Sequence, residues 1–189
     1  MQELSILRVN EGEAAYAVDC RGVGASRAGP PDAKPTGYGA DYQLHAHRLM
    51  LGESSLGRRV YDLRRVIQLL RGVWTQSNAE SPPLRLVGNG QGALVATFAA
   101  LLDDHDVTID IVHAPLACAA WAETPLCTWP VSSVLRGMLK HFDMPDVYNA
   151  LGKTKARRTA LATARVYLWA QRRKWNLRIL WLLQSMHRV

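Results

Sequence analysis

The feature that most constrains this chain is a glycine-rich turn between a short apolar run and a helix-forming segment of small residues. The turn reads GNGQG from Gly88 to Gly92, within RLVGNGQGALVA from Arg85 to Ala96. Glycines at every second position allow backbone angles and close contacts that residues with a Cβ atom avoid. The segment therefore predicts a buried strand that turns sharply into a helix, a repeating unit of parallel α/β sheets.

Strand-like and helix-like segments alternate along the rest of the chain. Apolar runs typical of buried strands end at Val18 and cover residues 84–87 and 107–112. Apolar residues at three- and four-residue steps predict a helix within residues 42–74 and another over residues 91–102. This alternation predicts an α/β fold, with a parallel sheet flanked by helices.

Polar residues and prolines refine the helix predictions. Arginines, including Arg59, are expected on the polar faces of the long helix. Residues 132–151 predict two short helices that break near Pro145. The serine pair at 132–133 could cap the first of these helices, and Asp143 could cap the second.

The predicted topology brings three separate segments to one edge of the sheet. Ligands of open parallel sheets bind at the carboxyl ends of the strands. The loop after Val18, the turn at Gly90 and the segment after Val112 should therefore meet. His113 lies at this edge and is a candidate general base, although a loop histidine without a catalytic role is the more common case.

The charge of the chain divides sharply at Asp146. The 189 residues include 23 Lys and Arg and 16 Asp and Glu; ten of the basic residues but none of the acidic ones follow Asp146. An acidic body is thus joined to a basic tail. Residues 153–189 could contact acidic partners, lie on an anionic membrane surface, or pack in place of missing strands. Nucleic-acid binding is not favoured, because no recognisable module accompanies the charge.

The glycine turn also fits a second motif, the G-x-G-x-x-A pattern of dinucleotide-binding turns. That motif requires an acidic residue about twenty residues further on, at the end of the next strand. Here the next strand ends at His113, and Asp110 lies inside it. The sequence therefore predicts neither a dinucleotide site nor any other cofactor.

Four segments, in order along the chain, resemble the α/β-hydrolase superfamily, in particular its acetyl xylan esterase-like bacterial members. VDCRGVGAS, from Val18 to Ser26, is similar to the D-x-R-G-x-G-x-S loop after a central strand of that family. Residues 84–116 resemble the nucleophile elbow with its helix and the next strand. The helix before the elbow, at 56–71, and the segment at 129–151 complete the resemblance.

The resemblance implies a domain boundary and an activity. It covers about residues 10–151, so we divide the chain into a partial α/β-hydrolase-like domain at 1–151 and a basic tail, helical or disordered, at 152–189. The implied activity is that of a carboxylic ester hydrolase acting on small acyl esters, in a degenerate or truncated form. The alternative is a non-catalytic binding or scaffold protein whose basic tail contacts acidic partners.

The implied catalytic site differs from that of the family at the position of the nucleophile. Gly90 stands where the superfamily has its serine, so no nucleophile can be identified. The backbone N–H of Gln91 is implied to be an oxyanion-hole donor. The acid and histidine of the family lie after later strands, and the chain leaves the family pattern near Gly152. Either a reading-frame shift or a fused tail would explain why acidic residues end so abruptly.

Other residues predict structure rather than chemistry. Asp19 is expected to order its own turn, and Ser26 lies in the same loop. His45 and His47 would point to different faces of a helix, so no metal site is predicted. The three cysteines form no C-x-x-C motif and predict reduced thiols in a cytoplasmic protein. No signal peptide and no transmembrane segment of roughly 20 apolar residues is recognised.

Overall fold

The computed structural model of the chain is a mixed α/β structure that describes residues 13–27, 39–76, 83–105, 107–125, 127–162 and 179–184. The strands are β1 (Glu13–Val18), β2 (Leu84–Asn89), β3 (Val107–Pro115), β4 (Ala156–Ala162) and β5 (Ile179–Gln184). The helices are α1 (Gly39–Met50), α2 (Ser55–Gln76), α3 (Gln91–Leu101), α4 (Ala119–Glu123) and α5 (Met144–Lys155). Single 3-10 turns lie at Gly24–Ser26, Val131–Ser133 and Met138–Lys140.

The described strands form one sheet in the order β1-β5-β2-β3-β4. β2, β3 and β4 pair in parallel, whereas β5 pairs antiparallel with both β1 and β2. β1 therefore points in the same direction as the three parallel strands, as the alternation of strands and helices predicts. The sheet is nevertheless mixed, because an antiparallel strand separates β1 from β2.

α3 is the central helix on one face of the sheet, where it packs against β2 and β3 with α2 and α5 on either side. Every residue of α3 from Gln91 to Ala100 is buried. Leu86 and Ile109 extend from the strands into the same hydrophobic core. Val87 and Val112 are buried as well but lie outside this core, because alternate residues of a strand point to opposite faces.

The helix predicted within residues 42–74 is in fact two helices, α1 and α2, with a short turn between them. Gly52 adopts a φ of 74° in this turn, an angle that glycine accepts at little cost. The N–H groups of Leu51 and Glu53 both donate to the carbonyl oxygen of Arg48, which ends α1. An interruption of four residues is too short to disturb the apolar periodicity, so the pattern does not reveal it.

α5 is unbroken at Pro145, which lies in its first turn. Proline is tolerated there because the first N–H groups of a helix have no intrahelical acceptor. Asp143 precedes the helix, and its carboxylate accepts the N–H of Met144 at 2.7 Å. Its own N–H donates to the carboxylate of Asp146 at 2.8 Å, in the manner of a capping box. The two short helices predicted here are therefore a pair of 3-10 turns followed by α5.

The C-terminal tail contributes strands where the sequence predicts helix or disorder. Residues 156–162 form β4 and residues 179–184 form β5, while residues 163–178 and 185–189 lie outside the described part. The segment ILWLLQ of β5 is a short apolar run, which fits a buried helix and a central strand equally well by pattern. Its place between β1 and β2 lets its backbone pair on both sides, and this pairing favours the strand. No described helix combines the length and apolar character needed to cross a membrane.

Candidate functional site

The turn at Gly90 has the sharp strand-to-helix geometry that its sequence predicts. Gly90 adopts φ 58° and ψ −118°, a combination that residues with a Cβ atom rarely adopt. Its N–H donates to the carbonyl oxygen of Val112 in β3 at 2.9 Å, and its own carbonyl accepts the N–H of Ala93 at 3.0 Å. Gly90 is thus hydrogen-bonded to the neighbouring strand on one side and to the first turn of α3 on the other.

Gly88 is required for a different reason, which is close packing. A Cβ atom at Gly88 would lie 2.6 Å from the carbonyl oxygen of Gly92 and 2.8 Å from the Cα of Ala93. These distances are far below van der Waals contact, and both partners are backbone atoms that cannot rotate away. The last residues of β2 therefore approach the start of α3 as closely as backbones can.

His113 lies beside the turn, at the end of β3, with an unusual backbone. Its φ of 50° is the one positive value among the described non-glycine residues, and the pairing of β3 with β4 shifts register just before it, at Val112, and across it. Its Nδ1 lies 3.0 Å from Oδ1 of Asn89. Because an amide oxygen only accepts hydrogen bonds, Nδ1 carries the proton in this arrangement. Nε2 is then the basic nitrogen, which is the form a general base requires.

The side chain of Gln91 is fixed by two buried serines. Its Nε2 donates to Oγ of Ser132 at 2.7 Å and to Oγ of Ser133 at 2.8 Å. Both serines are almost fully buried. The serines were expected to cap a helix, but they hold the first residue of α3 instead.

Arg59 extends this cluster to α1 and α2. Its side chain is only 2% exposed, although the sequence pattern predicts it on a polar face. Its Nη1 donates to Oγ of Ser132 at 3.0 Å, and its Nη2 donates to Oδ1 of Asp41 at 2.7 Å. Ser132 in turn donates to Oδ2 of Asp41 at 2.5 Å. Periodicity could not reveal this cluster, because its members come from segments far apart in the sequence.

The loop after β1 is ordered by its own acidic residue, as predicted. The carboxylate of Asp19 accepts the N–H of Ala25 at 2.9 Å, and its atoms occupy the space that a Cβ on Gly24 would need. Ser26 donates to the backbone carbonyl of Asp19 at 3.4 Å. Both predicted residues thus stabilise the loop.

The same loop is attached to α2 by an ion pair. The guanidinium and backbone N–H of Arg21 both donate to the carboxylate of Asp62. Burial raises the pKa of Asp62, but the hydrogen bonds from Arg21 outweigh this and hold the pKa below its ordinary value. The arginine of the D-x-R-G-x-G-x-S loop therefore has a structural partner on the next long helix.

Two of the three predicted segments contact each other directly at this edge of the sheet, and the third is linked to them through a side chain. The turn at Gly90 contacts the end of β3 directly, through Val112 and His113. The loop after β1 is connected through Arg59, whose Nε lies 3.3 Å from the carbonyl oxygen of Arg21. The loop after β1 thus reaches the Gly90 turn through the buried side chains of Arg59, Ser132 and Gln91, a link that the sequence did not indicate.

The described residues at this edge include no activated nucleophile. Gly90 has no side chain, and Ser132 uses its one proton and both lone pairs in the hydrogen bonds described above. Burial raises the pKa of the Cys20 and Cys118 thiols to about 12, which keeps both thiols protonated. The arrangement can therefore offer hydrogen-bond donors and one basic nitrogen, but not the attacking group that acyl transfer needs.

Two further features lie outside this edge. Nδ1 of His45 lies 3.1 Å from Oγ of Ser55 in the interior, and burial lowers its pKa. No cluster of three metal-binding side chains occurs among the described residues. A cavity of about 210 Å³ lies between the α1–α2 turn and residues 134–136, and none of the residues that line it belongs to the Gly90 turn.

Comparison with known proteins identifies no relative of this chain. No protein-family model matches it, and neither a curated protein nor a solved structure matches it.

Proposed function

We propose that this chain is an α/β-hydrolase-like protein related to carboxylic ester hydrolases, with a degenerate catalytic centre. The observation that supports this best is the backbone of Gly90, at φ 58° and ψ −118° between β2 and α3. A nucleophile elbow is a sharp, strained strand-to-helix turn of this kind. A residue with a Cβ atom would be strained at these angles, and strained positions of this kind are concentrated at functional sites, whereas glycine adopts the angles at little cost.

The neighbours of Gly90 fit the same proposal. Gln91 is the first residue of α3, so its N–H has no acceptor within the helix and is available to a developing oxyanion. His113 presents Nε2 as a base at the end of the adjacent strand. The attacking hydroxyl is absent, and we therefore expect the natural chain to bind small acyl esters without hydrolysing them.

The test compares the natural chain with Gly90→Ser and, as a control, Gly90→Ala. Each protein is incubated with p-nitrophenyl acetate and with a fluorophosphonate probe that labels activated serines. We expect no turnover above buffer and no labelling for the natural chain or for Gly90→Ala, whereas Gly90→Ser gains labelling. Turnover by the natural chain would refute the degenerate centre. A folded but unlabelled Gly90→Ser would refute the role of His113 as the base and show that the acid and base are lost as well.

A second candidate function, binding of acidic partners, is favoured by the charge of the tail. Residues 153–189 contain ten Lys or Arg and no acidic residue. We propose that this surplus allows a salt-sensitive association with acidic polypeptides. Deleting the whole tail would be a poor test, because β4 and β5 belong to the sheet.

Replacing charged residues, without deleting them, separates the role of the tail in binding from its role in the sheet. The test variant is Arg172→Gln/Arg173→Gln/Lys174→Gln. The control removes the same charge from exposed positions of the body, with Arg65→Gln/Arg136→Gln/Lys140→Gln. On immobilised polyglutamate, the tail variant should elute at lower salt than the control. Equal elution of the two variants would contradict binding through the tail.

A further inference from the structure

The cluster around Ser132 joins four elements that lie far apart in the sequence. Ser132 lies in a 3-10 turn, Asp41 in α1, Arg59 in α2 and Gln91 at the start of α3. The hydroxyl of Ser132 donates to Asp41 and accepts from both Arg59 and Gln91. A hydroxyl has one proton and two lone pairs, so all of its hydrogen-bonding capacity is used.

The hydrogen bonds of Ser132 also fix the orientation of the Gln91 side chain. Its amide group has two N–H hydrogens, and the bonds to Ser132 and Ser133 use both of them. Because Ser132 is 0% exposed and Ser133 is 2% exposed, water cannot readily replace either bond. A buried donor that loses its acceptor pays its full desolvation cost, so the side chain of Gln91 has one favoured arrangement.

The cation that holds Ser132 in place is Arg59. A planar guanidinium donates in fixed directions, and here Nη1 and Nη2 contact Ser132 and Asp41 while Nε faces the carbonyl of Arg21. Asp41 is 41% exposed whereas Arg59 is 2% exposed. Arg59 is thus a buried charge whose acidic partner reaches the surface, and its fixed geometry constrains the serine.

We propose that Arg59 is a positioning residue for the turn at Gly90, and that it acts through Ser132 on the side chain of Gln91. Glycine accepts the angles of Gly90 at little cost, but a residue with this much backbone freedom needs neighbours on both sides to fix its turn. β3 holds one side through the hydrogen bond from the Gly90 N–H to Val112. The Arg59–Ser132–Gln91 chain holds the other side, at the first residue of α3. The importance of this positioning for an acyl ligand depends on the function proposed above.

The experiment measures amide hydrogen exchange by NMR, residue by residue, on the full chain. Ser132→Ala and Arg59→Lys are compared with Arg71→Met, which breaks the ion pair between Arg71 and Asp103 at the other end of α3. The amides of Gly90 and Ala93 report on the turn, because both donate hydrogen bonds there. The amide of Leu86, in the middle of β2, reports on global opening.

Ser132→Ala and Arg59→Lys should each accelerate exchange at Gly90 and Ala93 about tenfold or more relative to Leu86, whereas Arg71→Met should leave this ratio unchanged. A residue that only stabilises the fold would accelerate all three amides equally, and that result would overturn the proposal. An unchanged ratio in Ser132→Ala would overturn it even if Arg59→Lys failed to fold. Hydrogen exchange tests this proposal alone. The proposed function is tested independently, by probe labelling of Gly90→Ser.

Discussion

Two glycines of the GNGQG turn are required for different physical reasons. Gly90 supplies a backbone conformation, with φ 58° and ψ −118°. Gly88 supplies space, because a Cβ there would meet the backbone of Gly92 and Ala93 at under 3 Å. The sequence indicates that glycines permit a tight turn, but it does not separate these two roles, since both depend on where α3 lies.

We predict that Gly88→Ala lowers the free energy of unfolding by about 3 kcal/mol or more, because the added methyl overlaps backbone atoms. Gly72→Ala is the matched control, as Gly72 lies in α2 and an added Cβ would have no atom within 4 Å. That control should raise the free energy of unfolding by about 0.5–1 kcal/mol, the usual helix preference for alanine. Urea denaturation of both variants measures the difference; equal midpoints would contradict the close packing.

The cysteines differ in reactivity according to burial. Cys20 and Cys118 are buried whereas Cys127 is exposed. Burial raises the pKa of the two buried thiols to about 12, so at pH 8 they are protonated and inaccessible. We predict that Ellman's reagent modifies one thiol of the native chain at pH 8 and all three in urea. Rapid modification of more than one native thiol would contradict this burial.

At the scale of elements, Asp143 connects two helices. Its carboxylate accepts the N–H groups of Cys118 and Ala119 at the start of α4, at 2.6 and 3.1 Å, and that of Met144 in α5. Burial raises the pKa of Asp143, but these three hydrogen bonds outweigh it and lower the pKa below its ordinary value. The sequence predicts Asp143 as a cap of the later helix, whereas its contact with α4 depends on the fold.

We predict that Asp143→Asn lowers the free energy of unfolding by about 1–3 kcal/mol at pH 7. Because the folded-state pKa is lowered, the stabilisation is present above the unfolded pKa of about 4 and is lost as the pH falls through the folded pKa. The difference between the natural chain and the variant should therefore shrink below pH 4. Asp104→Asn, at an exposed turn position, serves as the control. A difference that persists at pH 2 would contradict the charge-based explanation.

Helices and strands with strong local patterns were well predicted. The strand before Gly90, the helix after it and β3 all lie within a few residues of their predicted bounds, because burial of one face imposes a period that the sequence must carry. The division between α1 and α2 was missed, since a short turn does not break the period. The helix predicted for the tail was wrong for β4 and β5, where pairing with other strands decides the structure.

At the scale of the whole molecule, β5 completes the sheet. It lies between β1 and β2 and pairs with both, so β1 is connected to the rest of the sheet through the tail. The boundary that the resemblance implies after residue 151 therefore does not separate the tail from the sheet. Charge marks the tail as distinct, whereas backbone pairing includes parts of it in the fold.

We predict that deleting residues 179–189 abolishes cooperative unfolding, because β1 and β2 each lose the hydrogen-bonding partner between them. Deleting only residues 185–189 is the control, since every described strand is then retained. Differential scanning calorimetry distinguishes the two truncations. A sharp transition in both would show that β1 does not depend on β5.

The sequence by itself determined the local elements around the glycine turn and the lack of a nucleophile at Gly90, because hydrophobic period and residue identity are local properties. The tertiary structure alone decided that Arg59 is buried, that Ser132 and Ser133 hold Gln91, and that β5 lies between β1 and β2. These features depend on contacts between segments that are far apart in the chain. A buried polar group must find its partner wherever the fold places one, and no local pattern records that place.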